Sequence, residues 1–451
     1  QPAPQEDQPM NHPINKSTQQ HFDAIIIGAG IIGAAIALGL ARKGKKTLNI
    51  DALPAAGYGS TSGSCAIIRP YYSTVETSAI AHESHSYWSH WAEFLQADDE
   101  RGHSKYHAVG CLVAKTENNQ YLRPTMAILD TIGAPYEELD QAQYIARMPI
   151  FNIDSYTPAK RPDDEGFGEA NGKQIGGGVF FPDGGYVSDP QLATHNLQRA
   201  AEILGSSFKF NTKVAAIRQQ AGRIIGVTLT NGDQLDAPIV VNAAGPHSAK
   251  INAMVDAQQD MKITTRALRH EVAHVPSPEG FNFEQQGCVC SDSDIHAYCR
   301  PETGNHILIG SEDPDCDDQQ WVDPDDYNKD FTDQWRVQAL RLAQRIQTLP
   351  IPNQAKGVVE LYDVTPDWAP IYDKSSIPGY YMAIGTSGNQ FKNAPIVSEM
   401  MAQLIVACEQ GQDHDQDPVI FNLKYSGRPI NLGVFSRNRK INPNSTGTVL
   451  G

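Results

Sequence analysis

Three glycines and one carboxylate stand at the spacing that holds a dinucleotide. Gly28, Gly30 and Gly33 form G-x-G-x-x-G inside the apolar run AIIIGAGIIGAAIALGLA (residues 24–41), and Asp51 ends a plausible second strand, residues 46–50. In this pattern the first glycine permits a tight turn, the second lets backbone N–H groups approach a pyrophosphate, and the third lets a helix pack close on a strand. The phosphates then meet a helix N-terminus, whose free N–H groups and dipole favour anions. An acid at the position of Asp51 accepts hydrogen bonds from an adenosine ribose, which suits FAD or NAD better than a 2′-phosphorylated cofactor. By length alone the run is long enough to cross a bilayer. Its bunched glycines and the flanking Asp23 and Arg42 argue instead for two elements, a buried strand at 24–27 and a helix over 34–42.

The rest of the chain supplies elements to place around that junction. A Gly/Ser loop at 57–64 is rich in donors that can wrap a second phosphate or a ring edge. Apolar spacing predicts a helix over 80–94 that carries His82, His85 and His90; since no acidic partner completes a plausible ligand set nearby, these read as a solvated face rather than a metal site. Residues 106–115 read as a strand, 152–178 as a polar surface insertion and 192–204 as a helix. Residues 214–217, 223–230 and 234–235 suggest a β-meander turning at Asn231-Gly232-Asp233. Residues 239–245 return to the pattern of a buried parallel strand, so the nucleotide domain is resumed after an interruption.

Bulk properties narrow the function classes. With 36 basic and 52 acidic residues in 451, a net charge of −16 and no Lys/Arg stripe, nucleic acid and anionic lipid are poor partners. Seven scattered cysteines without a C-x-x-C favour reduced thiols in a cytoplasmic setting over a disulfide framework. Cys288 and Cys290 read as buried packing, with metal ligation the minority alternative, and residues 313–318 (DPDCDD) read as a solvated acidic loop without calcium-loop spacing. Residues 1–20 read as a disordered arm without a signal peptide as written; because the chain begins at Gln, an upstream processed segment stays open. Asn444-Ser445-Thr446 matches a glycosylation sequon that means little without secretion.

Two later motifs, Tyr362-Asp363-Val364-Thr365-Pro366-Asp367-Trp368-Ala369-Pro370 and Gly385-Thr386-Ser387-Gly388-Asn389-Gln390-Phe391-Lys392-Asn393-Ala394-Pro395, follow the glycine fingerprint in order. Together the three resemble the FAD-dependent amine and amino-acid oxidoreductases typified by D-amino-acid, glycine and sarcosine oxidases, nearest the sarcosine oxidase side, from about Phe22 to about Ala407. The resemblance implies an α/β (α+β overall) fold: a doubly wound, Rossmann-like FAD domain built from residues 22–104, 172–262 and 355–412, and a second domain on a mostly antiparallel sheet from 105–171 and 263–354, with 413–451 as an extension.

It also implies a site. Gly28, Gly30, Gly33 and Asp51 hold the ADP half of a non-covalent FAD; Ser60, Thr61, Ser62, Cys65 and Ala66 line the flavin; Val214 meets the adenine side; Ala244 and Gly245 close over the ribityl chain. Gly385, Gly388, Asn389, Phe391 and Lys392 lie on the flavin side, where a helix starting near Phe391 aims its N-terminus at the flavin edge that gains negative charge on reduction. Arg69 and Lys392 match the pair that grips a substrate carboxylate, and Tyr298 and Tyr362 match tyrosines near the ring. The implied reaction oxidises the C–N bond of a small carboxylated amine, such as an amino acid or N-methyl amino acid, to an imine that water hydrolyses, with O2 or another acceptor taking the electrons.

The chain also departs from that pattern. No cysteine precedes the Thr-Pro-Asp motif for flavin attachment, and no lysine stands on the strand His306-Ile307-Leu308-Ile309-Gly310, which puts oxidase activity in doubt against a dehydrogenase. A single arginine occupies 66–69, and Asn389-Gln390 replaces a His-Gly pair, leaving the amine unresolved. Alternative readings are a same-fold dehydrogenase of a hydroxy acid or glycerol phosphate, and a flavin-binding subunit without turnover, with 425–451 and its Arg428, Arg437, Arg439 and Lys440 as a docking arm for a partner subunit or oligomer.

Overall fold

The computed structural model describes residues 20–451; the arm expected at 1–20 lies almost wholly outside them. The opening apolar run folds as two elements, strand Ala24–Ile27 and helix Ile31–Arg42, and no helix among the described residues is long and apolar enough to cross a membrane. The strand is central in a six-stranded sheet, pairing in parallel with Thr47–Ile50 on one side and Ile239–Asn242 on the other. Ser207–Lys209 and Tyr380–Ile384 extend the parallel set, and Ile371–Lys374 closes one edge antiparallel. A parallel sheet covered on both faces needs apolar residues throughout each strand, and all four residues of the first strand are buried.

Helix Ile31–Arg42 is buried along nearly its whole length because it packs between helices Pro190–Ile203 and Ala394–Glu409. Gly39 makes the second contact possible, since a Cβ there would stand 1.9 Å from the carbonyl oxygen of Ser398. The meander expected after residue 214 is present as Val214–Gln220, Arg223–Leu229 and Gln234–Asp236.

A nine-stranded, mostly antiparallel sheet forms the second layer system. Its long strand Arg266–Pro276 pairs with Gly357–Val364 and His306–Ser311, and Ala297–Glu302 and Val289–Asp292 continue the sheet. Two strands fall in stretches that the motif order assigns to the nucleotide domain: Gly178–Phe181, paired with Cys111–Ala114, and Gly357–Val364.

Several local expectations change. The helix expected over 80–94 is two helices, Val75–Ser89 and Trp91–Leu95: Thr74 caps the first by accepting from the Thr77 N–H at 3.2 Å, and His90 leaves helical geometry between them. The strand expected over 106–115 is broken at Gly110, whose φ of +81° and contact with Phe180 bend the chain. Residues 313–318 are solvated only in part: Asp315 and Asp318 are exposed, but the Asp317 carboxylate is covered and accepts both Arg341 Nη1 at 2.6 Å and Arg341 Nη2 at 2.7 Å, while Asp313 faces His270 at 3.5 Å. All seven cysteines are free thiols; the Cys288 and Cys290 sulfurs lie 3.8 Å apart in the core of the second sheet. The supposed docking arm is folded onto its own chain. Arg437 pairs with Asp373, Asp260 and Asp415, and Arg439 grips Asp367, so its two principal arginines are engaged internally.

Candidate active site

A cavity of about 690 Å3 opens between the two sheets. The glycine junction builds one wall. Gly28 adopts φ +114°, and a Cβ there would stand 2.2 Å from the Ala243 carbonyl oxygen, so this turn admits only glycine. A Cβ on Gly33 would meet the Gly28 carbonyl at 2.2 Å, which is the helix-to-strand packing role expected of it. Gly30 is less confined, with Thr61 Oγ1 at 3.1 Å from the same hypothetical atom. Asp51 accepts from the N–H groups of Ala29 (2.7 Å) and Leu53 (2.9 Å) and keeps lone pairs for a hydroxyl donor. Burial raises its carboxyl above the usual range, and those two N–H groups oppose the rise.

The remaining cofactor residues divide. Gly28, Gly30, Asp51, Ser60, Thr61, Cys65, Ala66, Ala244, Gly245, Gly388, Asn389, Phe391 and Lys392 line the cavity. Val214, Ser62, Gly33 and Gly385 do not. The Val214 side chain is buried in the meander's core, Ser62 turns back to the Gly59 carbonyl (2.7 Å), and Gly385 sits against Thr365. The helix expected near Phe391 begins with a 3₁₀ turn, Phe391–Asn393, before Ala394–Glu409. A dinucleotide fits these features: a turn without side chains, a carboxylate with free acceptor capacity, and a cavity of ligand size.

The second sheet supplies two tyrosines. Tyr298 and Tyr362 face each other with hydroxyls 3.4 Å apart, and the His270 ring stacks on Tyr362 at 4.1 Å. The Tyr298 ring lies directly over Gly310, where a Cβ would stand 2.0 Å from it, and Gly388 is also pressed closely on Tyr362. Burial pushes both phenols up, so each is a neutral hydroxyl at physiological pH.

Arg69 and Lys392, both only a few per cent exposed, also reach the cavity. Among the described residues neither has an ion-pair partner. Arg69 stands 3.9 Å from the centre of the Tyr72 ring and donates to the carbonyls of Tyr71 (2.9 Å), Val449 (3.1 Å) and Leu450 (2.6 Å). Lys392 donates to the Tyr72 hydroxyl at 2.6 Å and to the Asn389 carbonyl. Desolvation, and then the charge of Arg69, hold its ammonium well below the usual lysine range.

Other residues of the site escape a sequence reading. Glu312, fully buried, accepts from Ser291 Oγ at 2.6 Å, and burial pushes its carboxyl up to about 8. Asp363 clasps the flavin-side turn by accepting from the Gly385 N–H (2.7 Å) and Ser248 Oγ (2.8 Å); burial raises it to about 7. Arg300 holds the loop at Cys65 through its carbonyl (2.6 Å). Most distant in sequence are Val449 and Leu450, which wall the cavity beside Arg69. Their path is set by Arg439, whose guanidinium binds Asp367 at 2.7 and 3.1 Å, by Asn442 N–H on the same carboxylate (3.2 Å), and by Ser445 on the Asp367 carbonyl (2.7 Å). Of these, only Asp363 and Asp367 carry a sequence signal, their place in the Thr-Pro-Asp motif.

Comparisons with known proteins agree with this geometry. The family model described as FAD dependent oxidoreductase, DAO, matches residues 23–404. The chain is 26% identical over 407 residues to the bifunctional protein ThiO/ThiG of Nostoc sp., covering 90% of this chain and 55% of that protein. It is 26% identical over 226 residues to N-methyl-L-tryptophan oxidase of Yersinia pestis, covering 49% of this chain and 53% of the relative. The chain thus spans about half the length of the curated relatives it matches. Glycine oxidase of Geobacillus kaustophilus shares the fold at a TM-score of 0.70 and 19% identity, covering 94% of this chain and all of that one. L-proline dehydrogenase of P. horikoshii does so at 0.70 and 21%, covering 86% and 94%. The match over most of the chain places this protein in the DAO family of FAD-dependent oxidoreductases, in keeping with a glycine-only turn beside a carboxylate that retains acceptor capacity.

Proposed function

We propose that this enzyme oxidises the C–N bond of a small carboxylated amine, with Arg69 and Lys392 receiving the carboxylate. One observation carries the reading: two buried basic groups border a single cavity, and among the described residues neither has an ion-pair partner. A buried guanidinium without a counter-ion is costly, and a ligand carboxylate supplies the missing charge together with two directed acceptors. Names among the relatives, N-methyl-L-tryptophan oxidase and glycine oxidase, point to the same substrate class.

The residues divide the work as follows. Arg69 presents Nη2, whose present acceptors are the Val449 and Leu450 carbonyls, so the entering carboxylate takes the place of those two oxygens. A carboxylate arriving beside Lys392 favours its ammonium form, because the new negative charge opposes the desolvation that depresses it. Tyr298 and Tyr362, held neutral by burial, line the amine's other side as hydroxyl donors and acceptors and exclude bulk water. Bound FAD supplies the two-electron acceptor. A dedicated protein base is not required when the amine binds in its neutral form.

Electron transfer to an acceptor other than oxygen fits one further feature: the strand His306–Ser311 offers no lysine, and its Gly310 is roofed by the Tyr298 ring. The test is anaerobic bleaching of the bound flavin across a panel of N-methyl, primary and cyclic amino acids, with Arg69→Ala and Lys392→Ala alongside. The reading expects bleaching by a carboxylated amine, and a loss of about 2–4 kcal/mol in transition-state binding, on the order of 10²-fold in kcat/KM or more, for either variant. Bleaching by hydroxy acids alone, or variants as active as the parent, overturns it.

A further inference from the structure

Away from the cavity, helix Val75–Ser89 meets the turn before strand Gly185–Val187. There His82 Nε2 lies 2.8 Å and His85 Nε2 3.7 Å from Asp183 Oδ2, with the three donor atoms all within 4.8 Å of one another. Asp183 is the acidic partner that sequence proximity did not offer. The side chains are 22%, 22% and 28% exposed, so the group is open to solvent on one side and walled on the other.

Hydrogen bonding at the second histidine makes this more than an ion pair. His85 Nδ1 faces the His82 carbonyl, which only accepts, so Nδ1 carries the proton and Nε2 of the neutral ring is a bare lone pair. That lone pair points toward a carboxylate oxygen that has no proton to give. Either a proton on Nε2 or a metal ion reconciles two acceptors that face each other, and the 3.7 Å separation, too long for a direct hydrogen bond, leaves room for the ion. A histidine whose other nitrogen donates to a backbone carbonyl is also the arrangement that orients metal-bound imidazoles. Close by, the hydroxyl of Tyr106 is buried without a hydrogen-bond partner, and burial, then the charges of Cys111 and Asp183, push its phenol up.

We propose that His82, His85 and Asp183 form a site for a borderline divalent transition-metal ion of the zinc class. Two imidazoles and one carboxylate suit zinc, nickel or copper rather than calcium or magnesium. Donors about 2.0–2.1 Å from a tetrahedral ion stand roughly 3.3 Å apart, a value bracketed by the two distances to Asp183. His82 enters the set by moving its proton from Nε2 to Nδ1, and water completes the coordination. The ion would be structural. It ties the helix that begins just after Tyr72 to the turn leading into Gly185–Val187, the strand that pairs with Ile67–Ile68 immediately before Arg69. Both ends of the frame around Arg69 are thereby clamped.

The test uses FAD-loaded, chelator-treated full-length protein titrated with ZnCl2 by calorimetry, with thermal unfolding followed in parallel. One equivalent should bind, and it should raise the midpoint of unfolding. His85→Gln keeps the His82–Asp183 pair and hence the fold, and should weaken binding at least tenfold and abolish the thermal shift; Asp183→Asn should do the same. An absence of saturable zinc binding, or binding of unchanged affinity in both variants, refutes the site. Flavin absorbance recorded in every sample verifies that the compared proteins are equally folded.

Discussion

Deleting residues 446–451 should make the enzyme bind its substrate more tightly. In the intact chain Arg69 donates to two carbonyls of this segment, and Val449 is buried beside Tyr298 and Trp368. Hydrogen bonds from a charged donor contribute about 1.5–3 kcal/mol each, and burial of one valine about 1.5–3 kcal/mol, a gross gain of about 4.5–9 kcal/mol. Ordering six residues costs at least about 1 kcal/mol apiece. These opposing quantities cancel to within a few kcal/mol, and for a closure free energy of about 1.4 kcal/mol about one molecule in ten has Arg69 exposed at equilibrium. A carboxylate that must displace the segment therefore loses about tenfold in apparent affinity. A chain ending at Ser445 keeps the Arg439–Asp367 anchor and should show KM lowered about tenfold with kcat little changed, read by steady-state kinetics with an artificial electron acceptor. The same deletion should tighten a non-reactive carboxylate equally in a flavin-perturbation titration, which separates binding from turnover. A KM that stays the same or rises would show that the segment is a wall of the substrate pocket and not a competitor for Arg69.

Affinity for a carboxylate inhibitor should fall as pH rises. Lys392 is neutral above its depressed pKa, and Glu312 ionises near Arg69 as pH passes about 8; titrations from pH 6 to 9.5 that show no weakening would contradict both assignments. Glu312→Gln should stabilise the protein increasingly with pH. The parent's raised carboxyl favours folding fully only below the ordinary value of 4.5, and that contribution is lost as pH climbs through about 8, at about 1.4 kcal/mol for each pH unit between those two values; denaturation midpoints of the two proteins at pH 5 and 9 measure it. Gly28→Ala should yield protein without visible flavin absorbance, whereas Gly44→Ala, which meets no atom within 4 Å, should keep its flavin and lose only about 1 kcal/mol of stability from its positive φ. After reduction, reoxidation by oxygen should be slow; a stopped-flow rate typical of efficient oxidases would refute the reading that electrons leave by another route.

What the sequence reveals and what it conceals follow from the range of the interactions. The junction is legible because its main constraints act within a few residues: the positive φ of Gly28 and the close approach of Gly33 to the Gly28 carbonyl demand glycine locally, while Gly30 is less confined. Arg69 and Lys392 are visible only through the motifs around them, since nothing in local spacing marks a cation without an ion-pair partner among the described residues. The errors fall where residues far apart in sequence satisfy one another. Asp317 looks like part of a solvated acidic run until Arg341 and Arg161 converge on it, and Arg437 looks like a docking residue until Asp260, Asp373 and Asp415 surround it. Val449 and Leu450 carry no periodicity and contribute only backbone carbonyls to Arg69, a role that any residue can fill. The contrast has a functional consequence. Buried arginines that build the frame, such as Arg341, Arg345 and Arg437, each face carboxylates in the chain, while among the described residues Arg69 meets neutral carbonyls and two aromatic rings without an ion-pair partner. Neutral acceptors hold a guanidinium in place without cancelling its charge. That leaves its field available to a ligand, which is what distinguishes a binding cation from a structural one in the same interior.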